Sequence, residues 1–283
     1  MAYDKAVDST QLDADLTLIA DAIRTKGGTS ASLAFPSGFI DAIDDIPTGG
    51  GDTPPPADGK TRLYIRVDDL VRPLVTIRFG QTVDNGVTVD WGDGSTPETF
   101  TGTTVANRAH TYTAVGDYII SLHVTEGGLT LEGNSSYGVM GVKNATGYRN
   151  IFRLKKVVLG SNITSIGTYA FEKHYTLNSI TIPEGVTNIG SQAFSLCYSL
   201  TRMTIPNSVT AIYLQAFNNC ASIKEYHFLP TTPPTLSGSN VFDGIQSDCI
   251  IYVPYSADGS ILAAYKTATN WSTYASYMRE EPQ

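Results

Sequence analysis

The side chains best suited to acid–base, nucleophilic or metal chemistry are few: the histidines His110, His123, His174 and His227, and the cysteines Cys197, Cys220 and Cys249. A catalytic or metal site needs several such groups at a spacing that one helix face, strand or tight loop can gather. Here the histidines fall in separate strands or loops. The chain also holds no His-Glu-x-x-His, no Gly-x-Ser-x-Gly, no Walker loop, no Cys-x-x-Cys, and no Gly-x-Gly-x-x-Gly where a strand meets a helix. Asp90 and Asp93, with Asp68 or Asp69, are carboxylates that Ca²⁺ uses elsewhere, but they lack the spacing of an EF-hand loop. His110 reads as a hydrogen-bonded structural residue, and no carboxylate pair is placed as a glycosidase requires. The expectation is a protein without catalytic residues, resident metal or cofactor, whose chemistry is that of a binding surface.

Composition agrees with this. The 283 residues exceed one typical domain, and the net charge of −8, from 27 acidic and 19 basic side chains, repels phosphate backbones, so nucleic acid is excluded as a partner. Residues 1–60 hold ten acidic and four basic side chains, whereas residues 141–283 hold eight and ten, so the chain is acidic at its start and slightly basic at its end. Charged residues make up 16%, while 26 Gly, 14 Pro and 16 Tyr indicate turn-rich β structure of the kind found on virion or cell surfaces. No apolar run approaches the roughly 20 residues of a membrane span, so membrane insertion is not expected. The aspartates at positions 4, 8, 13, 15 and 21 occupy the place of a secretory leader's apolar stretch, so export by that route is not expected either.

Leu12, Leu16, Ile19 and Ile23 recur as one stripe of an amphipathic helix that starts near Asp8 and stops at Gly27-Gly28. A shorter helix carries Phe39, Ile40, Ile43 and Ile46. Residues 1–47 are too few to bury a core alone, so the segment either folds back on its own chain or serves docking or oligomerisation. The latter is favoured, and the stripe suits a homotrimer. The Gly-rich, then Pro-rich residues 48–60 form a linker. The stretches Tyr3-Asp-Lys-Ala-Val-Asp, Lys26-Gly-Gly and Phe35-Pro-Ser-Gly-Phe39 resemble the start of tail-associated proteins of phages and prophages of Gram-positive hosts. That resemblance implies a virion part, attached to other virion proteins through residues 1–47.

Residues 61–133 read as short alternating strands, Leu63–Val67, Val75–Phe79, Val87–Trp91 and Tyr118–Val124, in the pattern of a β-sandwich with Trp91 between the sheets. Val89-Asp-Trp-Gly-Asp-Gly-Ser95, with His110-Thr-Tyr112 and Gly116-Asp-Tyr118, resembles the PKD family of immunoglobulin-like domains, which implies a spacing or binding module.

Beyond residue 150 the chain repeats every 23 residues: Leu154, Leu177, Leu200; Val157, Ile180, Met203; Ile166, Ile189, Ile212; Ala170, Ala193, Ala216; Phe171, Phe194, Phe217. Such units cannot bury their own apolar face and must stack as a solenoid with these residues pointing inwards. Leu177-Asn-Ser-Ile-Thr-Ile-Pro and Leu200-Thr-Arg-Met-Thr-Ile-Pro resemble the BspA-like (TpLRR) leucine-rich repeats, and the tail with Trp271 and Tyr274 is similar to their helical cap. This implies adhesion to a host cell-surface glycan or protein. Residues between the ladders then point outwards, with Lys155, Asn178, Arg202 and Lys224 in one register and Val158, Thr181, Thr204 and His227 in another. Of these, Lys155, Asn178, Thr181, Arg202, Thr204, Lys224 and His227 form the candidate binding stripe. Tyr175, Tyr198 and Tyr213 sit in loop registers and could stack on sugar rings. Cys197 and Cys220, one repeat apart, are expected as thiols filling the core.

The expected architecture is mainly β and multi-domain: a helical segment (1–47), a linker (48–60), a PKD/Ig-like β-sandwich (61–133), a BspA-type leucine-rich-repeat solenoid (141–260) and a C-terminal helical cap (261–283). The expected function is that of a non-enzymatic bacteriophage virion protein, a tail fibre or baseplate appendage that presents adhesive modules to the host. A capsid decoration or head fibre protein and a bacterial surface adhesin are the alternatives.

Overall fold

Period-two alternation builds the first elements of the computed structural model, which describes residues 58–68, 70, 73–134, 138–140 and 152–283. The helical segment expected at 1–47 lies outside these residues. Strands β1 (Thr61–Val67), β2 (Leu74–Gln81), β3 (Val87–Asp90), β4 (Glu98–Phe100), β5 (Ala106–Thr111), β6 (Gly116–Val124) and β7 (Leu129–Leu131) form two facing sheets. β1 shows the rule: Leu63, Ile65 and Val67 are buried, while Arg62, Tyr64 and Arg66 are not. β6 lies antiparallel between β1 and β3, β3 pairs with β4, and β2 lies antiparallel between β5 and β7. Trp91, just past β3, is fully buried between the sheets, where its indole N–H donates to Glu98 Oε1 at 2.7 Å. The Tyr112 hydroxyl donates to the Trp91 carbonyl at 2.8 Å.

From residue 154 the chain winds into stacked coils. One strand series comprises β8 (Leu154–Val158), β10 (Ser179–Thr181), β12 (Arg202–Ile205), β14 (Glu225–Phe228) and β16 (Ile250–Val253). The other comprises β9 (Ser165–Ile166), β11 (Asn188–Ile189), β13 (Ala211–Ile212) and β15 (Thr235–Leu236). Neighbouring strands pair in parallel, as Met203 with Tyr226 and Ile189 with Ile212 show, except that β10 and β12 are not paired, so β12, β14 and β16 belong to a separate sheet. The apolar registers make continuous buried ladders, and the rings of Phe171, Phe194, Phe217 and Phe242 stack at successive centroid distances of 5.4, 5.3 and 5.4 Å. The turns are stitched from coil to coil as well. The amides of Tyr169, Phe171 and Lys173 donate to the carbonyls of Ser191, Ala193 and Ser195, at 2.9, 2.7 and 2.8 Å. Backbone groups that a buried turn would orphan are thereby satisfied by the next coil.

No break separates the antiparallel strands from the coils. β1 pairs antiparallel with β8, joining Leu63 to Val157, and β7 pairs parallel with β9, joining Leu131 to Ile166. One sheet therefore runs β10-β8-β1-β6-β3-β4 and the facing one β15-β13-β11-β9-β7-β2-β5. The apolar core is a single cluster from Leu63 to Met278. An unpaired first coil would expose a row of N–H and C=O groups and the end of its ladder, and β1 and β7 remove both liabilities. The approach is close: a Cβ at Gly160 would stand 2.1 Å from the Gly59 carbonyl oxygen, and one at Gly167 2.6 Å from that of Leu131. The buried Thr61 hydroxyl accepts the Gly160 amide at 2.9 Å, which satisfies the seam.

The other end is closed by helix α1 (Ser260–Thr267), a 3₁₀ helix (Trp271–Tyr277) and strand β17 (Met278–Glu280), which pairs in parallel with β16. This final strand departs from the all-helical cap expected for 261–283. Its three residues carry too little pattern to be read in sequence, and it forms because the edge of β16 needs a partner. Trp271, Tyr274 and Tyr265 are buried and donate to the carbonyls of Pro234, Ser239 and Pro230, so each aromatic plug also satisfies a backbone acceptor.

Two outcomes follow. A fragment of residues 141–283 bears uncovered β8 and β9 edges; it should aggregate or lack a cooperative melt, whereas residues 58–283 should melt in one transition by circular dichroism. Phe217→Ala removes one rung of the ring stack and should cost about 3–5 kcal/mol in urea unfolding, as for other fully buried Phe truncations.

Candidate functional site

The side of the coil stack where the chain enters β8, β10, β12, β14 and β16 carries the groups that could meet a ligand. Backbone bonds give its register: the amide of Asn178 donates to Lys155 O, that of Lys224 to Thr201 O, and that of Ile250 to Lys224 O. With the 23-residue step from Asn178 to Thr201, the row is Lys155, Asn178, Thr201, Lys224. Arg202 does not belong to it, which corrects the expected register. Arg202 pairs across with Glu225, one position further along the strand, because the 23-residue step from Asn178 lands on Thr201.

Of the expected stripe, Asn178, Arg202 and Lys224 are exposed, and Lys155 is half-buried with its ammonium 3.4 Å from the Phe152 carbonyl. Thr204 is half-buried, and its hydroxyl has no hydrogen-bond partner among the described residues. The second register does not lie open as expected. Thr181 is only 9% and His227 only 8% exposed. His227 lies over Tyr252 with ring centroids 4.8 Å apart, and its Nδ1 and Nε2 stand 2.5 and 3.0 Å from carboxylate oxygens of Glu281 and Glu225. With both ring nitrogens engaged, His227 ties β14 to Tyr252 on β16 and to Glu281 just past the final strand, rather than facing solvent. Lys224 holds both oxygens of Asp248, at 2.8 and 2.7 Å, and keeps that carboxyl below the usual range.

Three residues before the polar row runs an aromatic one. Phe152, Tyr175 and Tyr198 follow one another at 5.3 Å, Tyr175 and Tyr198 stacked at 12° and Phe152 tilted 42° to Tyr175, with Phe152 51% and Tyr198 46% exposed. Tyr198 covers one face of the half-buried Tyr175 and Phe152 leans against the ring as well, so Tyr175 is not the open sugar platform expected from its loop register. Ala221 stands at the next repeat position, so the aromatic row ends at Tyr198. Tyr213 and its neighbour Leu214 are exposed at a different corner, where the two earlier coils carry Gly167-Thr168 and Gly190-Ser191.

The buried thiols and the acidic turn offer no reactive chemistry. Cys197 and Cys220 are free and donate to the carbonyls of Phe171 and Phe194, both at 3.0 Å, and burial pushes the Cys220 thiol up to about 12. Asp90 accepts the Gly92 amide, while Asp93 accepts the Ser95 amide at 3.1 Å and the His110 Nε2 hydrogen bond at 2.7 Å. Burial alone would raise the Asp93 carboxyl, but the bonds from Ser95 and His110 outweigh it and hold it at about 2. His110 in turn stacks on Trp91 at 4.9 Å, so the Asp93 turn is pinned to β5 and to the core indole. These carboxylates are spent on their own turns; among the described residues, no cluster of three or more His, Cys, Asp or Glu could hold a metal ion. Asp69, one of the carboxylates considered for Ca²⁺, lies outside the described residues.

Asp93→Asn should lower stability at neutral pH by about 1 kcal/mol, the usual worth of a charge-assisted hydrogen bond near the surface. The depressed carboxyl contributes stability that is complete above its ordinary value of 3.8 and lost as pH falls through about 2. Urea titrations over this acid range should show that slope in the parental chain and not in the Asn variant.

Residues 144–254 match the family described as BspA type leucine rich repeat region, in six copies. No curated protein matches the chain. Among solved structures, the pneumococcal vaccine antigen PcpA is similar at 17% identity with a TM-score of 0.34, over 46% of this chain and 36% of that one, so the present chain spans little more than a third of that structure's length. The described coils, from Leu154 to Val253, lie within the matched residues.

Proposed function

We propose that the chain is a non-enzymatic surface-binding protein that meets its ligand along the rim formed by Phe152, Tyr175, Tyr198 and the polar row Lys155, Asn178, Thr201, Lys224. The observation that carries this reading is the exposed aromatic row. Three large rings on the outside of a coil stack leave apolar area in water with no core to serve, and beside them stand ammonium, amide and hydroxyl groups at one per coil. A host cell-surface glycan or protein is the ligand class that such a rim suits.

Within that reading the chain is a virion protein of a phage, a tail fibre or baseplate appendage held to other virion proteins through residues 1–47. The support is the resemblance of the first 46 residues to tail-associated proteins and the order of docking segment, linker and β modules. The PKD-like motif residues Trp91, Asp93, His110 and Tyr112 support an immunoglobulin-like reading of strands β1–β7, with those residues tied into one network. A bacterial surface adhesin is the second reading, favoured by the BspA type repeats.

The test is binding of the fluorescently labelled full chain to intact Gram-positive cells. Saturable binding that falls about tenfold in affinity or more in Tyr198→Ala/Lys224→Ala, with an unchanged melting curve, is the expected result. Absence of binding to any cell type, or equal binding by the double variant, contradicts the assignment of the rim.

A further inference from the structure

The rim ends in a feature that the aromatic row does not explain. Between the loop entering β16 and the end of the 3₁₀ helix lies an open groove of about 450 Å³, lined by Ser247, Asp248, Cys249, Ser276, Tyr277 and Arg279 among others. Its charges are unequal in freedom. Asp248 is occupied at both oxygens by Lys224. The nearby carboxylates are committed too: Glu281 and Glu225 to His227, and Glu280 to Ser256. Arg279, by contrast, has no carboxylate partner among the described residues. Its Nη1 donates to the carbonyls of Ser276 and Met278, at 3.0 and 2.7 Å. Those two bonds fix the guanidinium plane and use the donors of one nitrogen, which leaves the fork formed by Nε and Nη2. Such a fork matches two oxygens of one carboxylate or phosphate.

From this we infer that the groove is an oxyanion subsite, in which Arg279 takes an acidic group of a surface polysaccharide in bidentate fashion. Resting on the binding function proposed above, it sharpens the ligand class from glycan or protein to an anionic polymer. A neutral sugar would leave the fork unmatched. An anion also suits the site because the one acid lining the groove, Asp248, is already neutralised by Lys224. The small hydroxyls of Ser247 and Ser276 line the same space and can donate to the remaining oxygens. Carboxylate and phosphodiester present the same pair of oxygens, so the two sources are separated by experiment.

The experiment is isothermal titration of the full chain with polygalacturonate, poly(glycerol phosphate) and neutral dextran, each at low and high salt, in the parental protein and in Arg279→Gln. The exposed position makes a folding defect unexpected, and an unchanged melting curve verifies this. The expected result is salt-sensitive binding of one or both acidic polymers, weakened about tenfold in Arg279→Gln, as loss of a charge-assisted pair implies, with no binding of dextran. Preference for polygalacturonate assigns the carboxylate, and preference for poly(glycerol phosphate) the phosphodiester. Equal binding by Arg279→Gln, or dextran bound as tightly as the acidic polymers, overturns the inference. If Arg279→Gln binds intact cells as the parental chain does while Tyr198→Ala/Lys224→Ala does not, the subsite fails and the binding rim stands. Failure of the parental chain to bind cells at all removes the function on which the subsite rests.

Discussion

A stack of coils has two ends, and each end exposes a strand edge together with the open face of every apolar ladder. That constraint organises the structure. The Phe171-Phe194-Phe217-Phe242 column and the aliphatic ladders beside it supply apolar burial worth about 1.5–3 kcal/mol per large side chain, but only where the next coil or a cap excludes water. At the C-terminal end this is done by Trp271, Tyr274 and Tyr265, each of which also donates to a carbonyl that burial would orphan. At the other end β1 and β7 do it by lending a strand to each of the two facing series.

The antiparallel strands are consequently more than a spacer placed before the repeats. They share sheets and core with them, so the orientation of the rim relative to β1 is set by ladder pairing and not by a linker. Gly160 and Gly167 show how tight this joint is, since backbone oxygen atoms lie where a Cβ would stand. A rigid joint suits a protein that must hold a row of weak contacts in line, because each contact then adds without a fresh ordering cost.

Much of this was legible in the chain. The ladders could be read because five registers repeat at one spacing and each must face inwards, and Trp91 because its Gly-Asp-Gly turn marks a sheet gap. What escaped was set by tertiary partners. The pairing of β1 with β8 leaves no local trace, and β17 has one apolar residue, Met278, to announce it. His227 occupies an outward register, yet Glu281, distant in sequence, turns it into a clasp; no periodicity could reveal that. Arg202 stands one position past the Lys155 row, because the 23-residue step from Asn178 lands on Thr201. The stacking of Tyr175 on Tyr198 was implicit in their separation of one repeat, and the row ends at Tyr198 because Ala221 stands where a third tyrosine would be.

Strands β1–β7 and the coils form one cooperative structure. Native-state hydrogen exchange tests it most directly. The amide of Arg66, which donates to the Arg153 carbonyl across the seam at 2.9 Å, and the amides of β1 should exchange with the same opening free energy as those of Phe194 and Phe217 in the ladder. Seam amides that open at markedly lower free energy, while the ladder stays protected, would show two independent units and contradict the account.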